Sequence, residues 1–162
     1  MASGKTLLIV SGGIEAADAA RRAKEMGHTV VVSDLDPKAP GFAFADSCLI
    51  ADVYGPSETA AAAERYSRKI RKIDGVLCVA ADAPVTAAMV AQRLGLPGIS
   101  IASAELACDK LAMKRRFAEC GVPVPWFSEV PTPRSPPPPW PSGCACPACP
   151  SMWRNWPATS WR

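Results

Sequence analysis

The amino-acid sequence predicts an α/β protein: an open parallel sheet with helices on both faces, followed by an irregular tail. Three observations point there. Short apolar runs at residues 5–10, 29–33 and 75–80 are continuous rather than alternating, as strands buried on both faces require. Residues 14–26, between the first two runs, and Pro84–Leu94, after the third, carry apolar side chains at helical spacing, and Gly27 and Gly95 close these stretches. Strand, glycine turn, helix and strand in that order make a βαβ unit, which implies parallel strands and a right-handed crossover.

The remaining elements follow in order. Ser11-Gly12-Gly13 is the turn after the first strand, and Asp34 ends the second. Residues 35–46 form a loop with proline and glycine, and residues 47–51 read as a third strand. Pro56 and Ser57 start a helix expected to reach about residue 72, with Ser57 as a candidate cap. Its Arg65, Arg68, Lys69, Arg71 and Lys72 read as a solvated face. Residues 96–100 are expected to turn into a fifth short strand. Ser103 and Glu105 open a short helix, and Asp109 opens another that Gly121 closes. Val122-Pro123-Val124-Pro125 then leaves extended, because each proline disfavours helix in the residue before it.

Composition excludes several classes. All 15 acidic side chains lie before residue 131; removing the tail's three arginines from 18 basic residues leaves 15, so residues 1–130 are neutral. A basic surface for nucleic acid is not indicated. No window approaches the roughly 20 apolar residues of a membrane span, and no secretory signal is visible, so a cytoplasmic location is expected. Cys48, Cys78, Cys108 and Cys120 sit within element patterns, where free cysteines are expected to be buried.

The text changes after residue 130. Residues 131–162 hold ten of the 17 prolines, four of the five tryptophans and Cys144, Cys146 and Cys149, with no leucine, isoleucine or valine. The sequence therefore divides into a domain at 1–130 and a disordered tail at 131–162. Three readings of the tail stand: a proline-rich ligand for an aromatic groove, a thiol metal or redox site short of a fourth ligand, or a frame-shifted read of a GC-rich gene. The composition favours the last.

The glycine turn and Asp34 sit where doubly wound folds bind ligands, beyond the carboxyl ends of the strands. Asp34 follows Gly12 by 22 residues, a spacing that suits a ribose-binding acid and suggests a nicotinamide-binding oxidoreductase. Against this, S-G-G-I-E-A lacks the G-x-G-x-x-G spacing, and glycines also serve tight turns. A non-enzymatic interaction protein using the proline-rich tail is the other alternative.

Gly95-Leu96-Pro97-Gly98, then Asp109-Lys110, the basic Lys114-Arg115-Arg116 and the exit Gly121-Val122-Pro123-Val124-Pro125 make an ordered set. This set resembles the N-terminal, Rossmann-like domain of the ATP-grasp ligases, among them carboxylate–amine ligases, biotin carboxylases and carbamoyl-phosphate synthases. The resemblance runs from residue 5 to about residue 130. It implies a ligase that activates a carboxylate with ATP as an acyl phosphate for attack by an amine, with magnesium as cofactor. It also implies that Lys110 binds ATP, and that Gly12, Gly13, Glu15, Asp34, Ala81 and Asp82 line a pocket for a small carboxylate or amine substrate. A lysine in the first turn of a helix is otherwise mildly misplaced, since that end favours anions. The family's second nucleotide lysine, glycine-rich lid and magnesium ligands lie downstream and are not in this sequence. The resemblance thus implies a truncated and inactive polypeptide, no catalytic residue among residues 1–130, and a homodimer for the full-length family.

Overall fold

The computed structural model describes residues 4–79 and 81–127. Two compact units divide the chain, Met1–Pro123 and Val124–Arg162. Residues 124–127 of the second unit hold no helix or strand. The boundary expected at 130, the proline-rich segment and the three tail cysteines lie outside the described residues.

The first unit is an α/β fold built on four parallel strands: β1 (Thr6–Val10), β2 (Thr29–Asp34), β3 (Ser47–Ile50) and β4 (Gly75–Cys78), in the order β3-β2-β1-β4. Five helices accompany them: α1 (Ile14–Glu25), α2 (Pro56–Lys69), α3 (Pro84–Leu94), α4 (Ile101–Cys108) and α5 (Lys110–Glu119). A short 3-10 helix spans Pro40–Phe44. The two central strands explain the continuous apolar runs. Residues Leu8, Ile9, Val10, Val30, Val31 and Val32 are all fully buried.

The register sorts them by face. Ile9, Val30 and Val32 pack with Ala16, Ala20 and Ala23 of α1. Leu8 and Val31 pack with Ala60, Ala63 and Tyr66 of α2 and Val90 of α3. Alanine at these helix positions lets each helix lie close on the β-branched surface, so dispersion contacts are dense.

At the opposite end of the sheet, Asp46 staples β3 to β2. Its amide donates to the Val30 carbonyl at 2.8 Å, and its carboxylate accepts from the Val30 amide at 2.9 Å and from Lys24 Nζ at 2.8 Å.

Three local expectations are corrected. Residues 96–100 form no strand. The Leu96 amide is spent on the Ala91 carbonyl at 2.8 Å, closing α3 behind Gly95 at φ 66°, and Pro97 has no amide to offer β4. Ser57 does not cap α2; Gly55 is the N-cap, Pro56 takes the first helical position, and the helix stops at Lys69. The helix expected from Ser103 begins earlier, because Ser100 Oγ accepts the Ser103 amide at 3.1 Å and caps α4. The α5 cap is as expected: Asp109 Oδ1 accepts from the Leu111 and Ala112 amides at 2.9 and 3.0 Å.

The cysteines are also corrected. Among the described residues, Cys48, Cys108 and Cys120 are exposed and Cys78 is half-buried. For Cys48 the reason is its edge strand, where it shares a face with the exposed Ile50 beyond the cover of α1.

Two outcomes test this packing. Leu8→Ala removes a fully buried side chain from the central strand and is expected to lower unfolding free energy by about 2–5 kcal/mol in urea titration. The Lys24 ammonium and the Val30 amide hold the Asp46 carboxyl below its ordinary value of 3.8. A lowered folded pKa gives stability that is present above the unfolded value and lost as pH falls through the folded one. Wild-type protein should therefore lose melting temperature below about pH 4 more steeply than Asp46→Asn; parallel curves would remove Asp46 from the acid response.

Candidate functional site

Parallel strands gather all four carboxyl ends on one edge, and the first three helices begin there. The β1–α1 turn is the most constrained part of that edge. Gly12 is buried and its amide donates to Asp34 Oδ2 at 2.7 Å, while its carbonyl accepts from the Gly41 amide at 2.7 Å. A Cβ on Gly12 would stand 2.8 Å from the Ala39 Cβ, so glycine is needed here for space. Ser11 holds φ 81°, a left-handed conformation rare outside glycine, and its Oγ accepts from the Gly13 amide at 3.3 Å. Gly13 is the N-cap of α1 and supplies no side-chain cap.

Asp34 is both anchor and wall. Its Oδ2 holds Gly12 and its Oδ1 accepts from the Asp36 amide at 3.0 Å, which fixes the carboxylate with one lone pair left on each oxygen.

The structure thus joins Gly12, Gly13 and Asp34 directly. Glu15 lies exposed in the first turn of α1. Ala81 packs against the Val10–Val53–Ala83 cluster and its carbonyl accepts from Cys78 Sγ at 3.3 Å, while Asp82 is exposed beside it. Both stand in the loop entering α3, on the same sheet edge. Lys110 is exposed at the first position of α5, a helix with no buried residue that packs on α4.

The sequence reading missed most of a cleft beside the turn. A cavity of about 260 Å³ is lined by Ser11, Asp34, Leu35, Asp52, Val53 and Tyr54. The missed signal was A-D-V-Y-G-P, a polar loop at the carboxyl end of the third strand and ahead of a proline-started helix. Two buried threonines hold this loop. Thr59 Oγ1 donates to the Asp52 carbonyl at 2.6 Å, and Thr86 Oγ1 donates to the Val53 carbonyl at 2.7 Å. Among the described residues, no group of three or more histidine, cysteine or acidic side chains forms a metal cluster. No described helix is long and apolar enough to cross a membrane.

Comparison with known proteins gives this edge its context. Residues 20–98 match the model of the ATP-grasp N-terminal domain. Phosphoribosylglycinamide synthetase from Anaerococcus prevotii shares the fold at TM-score 0.62 and 24% identity over 73% of this chain and 29% of that one. L-amino acid ligase from Bacillus licheniformis does so at 0.61 and 17%, over 80% and 34%. The N5-carboxyaminoimidazole synthetase of Staphylococcus aureus, in complex with ADP, does so at 0.58 and 20%, over 75% and 31%. No curated protein is significantly similar to the chain. Residues 20–98 thus match the ATP-grasp N-terminal domain and the fold is shared with these solved structures, of whose length the chain spans about a third.

Asp34→Ala leaves the buried Gly12 amide without its acceptor. It should destabilise the domain by about 1–3 kcal/mol in denaturant titration, with Asp34→Asn costing less because one carbonyl oxygen still accepts.

Proposed function

We propose that this chain is the substrate-holding N-terminal part of a ligase that activates a carboxylate with ATP for attack by an amine. The observation that carries the proposal is the contrast among helix starts. The helices α1 and α3 begin at the crevice without a side-chain cap, whereas α4 and α5 are each capped by their own Ser100 and Asp109. Uncapped first-turn amides beside a glycine turn present donors and partial positive charge to a substrate anion.

In this reading Gly13 lets the backbone approach that anion, while Gly12, packed against Ala39 and bonded to Asp34, shapes the turn from within. Ala81 and Asp82 form the far wall, and Glu15 borders the entrance. When bound, ATP supplies the phosphoryl group that turns the carboxylate into an acyl phosphate. Lys110 fits one end of that nucleotide: it is exposed and offers three donors on a flexible stem. Among the described residues no group of three or more histidine, cysteine or acidic side chains forms a metal cluster; magnesium, the lid and the phosphate clamps enter this reading only as parts of the complete ligase.

The remaining expectations join this proposal: a cytoplasmic protein, small-molecule carboxylate or amine partners, and homodimers in the complete ligase. An amide spectrum of isotope-labelled protein tests it. MgATP should shift the amides around Lys110 saturably, and Lys110→Ala should weaken that response about tenfold or more, as loss of a charge-assisted contact does. Inorganic phosphate should shift the Ile14, Glu15 and Ala16 amides. If NADH shifts the glycine turn and MgATP shifts nothing, the ligase reading gives way to a nicotinamide domain.

A further inference from the structure

We infer that α4 and α5 form a two-position device: the Asp109 carboxylate holds a bend between them, and without its cap bonds residues 101–119 run on as one straight helix. The inference concerns the joint itself and does not depend on the ligase reading.

The two helices are separated by very little. Cys108 ends α4, Lys110 begins α5, and Asp109 alone stands between them. Residues 101–119 contain no glycine or proline, and most are alanine, leucine, methionine, lysine, arginine or glutamate, the strongest helix formers. Such a stretch has little local reason to break. It breaks at Asp109, whose backbone is extended at φ −106° and ψ 98°.

The hydrogen bonds identify what holds the break. The Asp109 amide donates to the Glu105 carbonyl at 3.2 Å, and the Asp109 carbonyl accepts from the Met113 amide at 2.8 Å. Both bonds have the spacing of a continuous helix. The Leu111 and Ala112 amides take a different course. They go to Asp109 Oδ1 at 2.9 and 3.0 Å, where a continuous helix would send them to the Ala107 and Cys108 carbonyls. Straightening therefore exchanges these two bonds for two others, and it requires chiefly a turn of about 140° in ψ at one residue.

Tertiary packing adds little to the hold. Ala104 is fully buried and anchors α4, whereas α5 buries none of its residues, and residues 111–114 are only half-buried. Charge adds more, because in a straight helix Asp109 would stand one turn from Glu105 as a like-charge pair. The two forms are thus close in free energy, and the cap decides between them. Lys110 changes place with the switch: it opens α5 in the bent form and lies in mid-helix in the straight one.

The test is an amide and carbon-13 spectrum of the whole isotope-labelled chain. Wild-type protein should show helical α-carbon shifts on both sides of an extended Asp109. Asp109→Ala, a change at an exposed residue, should give helical shifts through position 109 while the β1 and β2 amides stay unmoved. New contacts should also join the α-protons of Leu106 and Ala107 to the β-protons three residues on. Asp109→Asn keeps an acceptor of similar capping strength and should stay bent. A break that persists at position 109 in Asp109→Ala would mean that packing sets it, and would overturn the inference. Loss of helical shifts from α5 in that variant would overturn it too, and straightening of Asp109→Asn would overturn the part given to the cap.

Discussion

The bond from the Gly12 amide to Asp34 is the constraint on which the functional edge depends. It joins the end of β1 to the end of β2 at 2.7 Å and leaves no space for a side chain at Gly12. The Gly41 amide closes the same knot from the 3-10 helix. A short loop in which several amides must find acceptors would ordinarily depend on water. Here the second strand's terminal carboxylate supplies two of those acceptors, so the turn, α1 and the loop after β2 share one origin.

Much of this architecture was legible because burial on both faces leaves a plain record in sequence. T-L-L-I-V and T-V-V-V-S read as central strands of a covered sheet, and the alanine-rich Ile14–Glu25 as a helix lying close upon it. Helix ends written by glycine were equally plain at Gly27, Gly95 and Gly121, all with positive φ. What sequence reading mistook depended on competition between groups three to five residues apart. Leu96 was free to join β4 until its amide closed α3, and Ser100 took the cap that Ser103 also offers.

The candidate site was half legible for a related reason. Gly12, Gly13 and Asp34 declare themselves because glycine and acid at strand ends are unusual. Asp52, Val53 and Tyr54 did not, since their placement beside Ser11 and Asp34 depends on Thr59 and Thr86, which look like ordinary helix residues. Ser11 gave no warning either: a serine at φ 81° is visible only in the backbone. Lys110 was conspicuous in sequence, and it stands at the first position of a helix that buries none of its residues.

The threonine tethers carry a consequence for kinetics. A rim bound to two separate helices moves only as those helices move, so it cannot serve as a flap over the cleft. A ligand arriving there finds its contacts already arranged and loses little conformational entropy in ordering them. Exchange at this end of the crevice should accordingly be governed by diffusion and departure, while any slow gating step must belong to other segments.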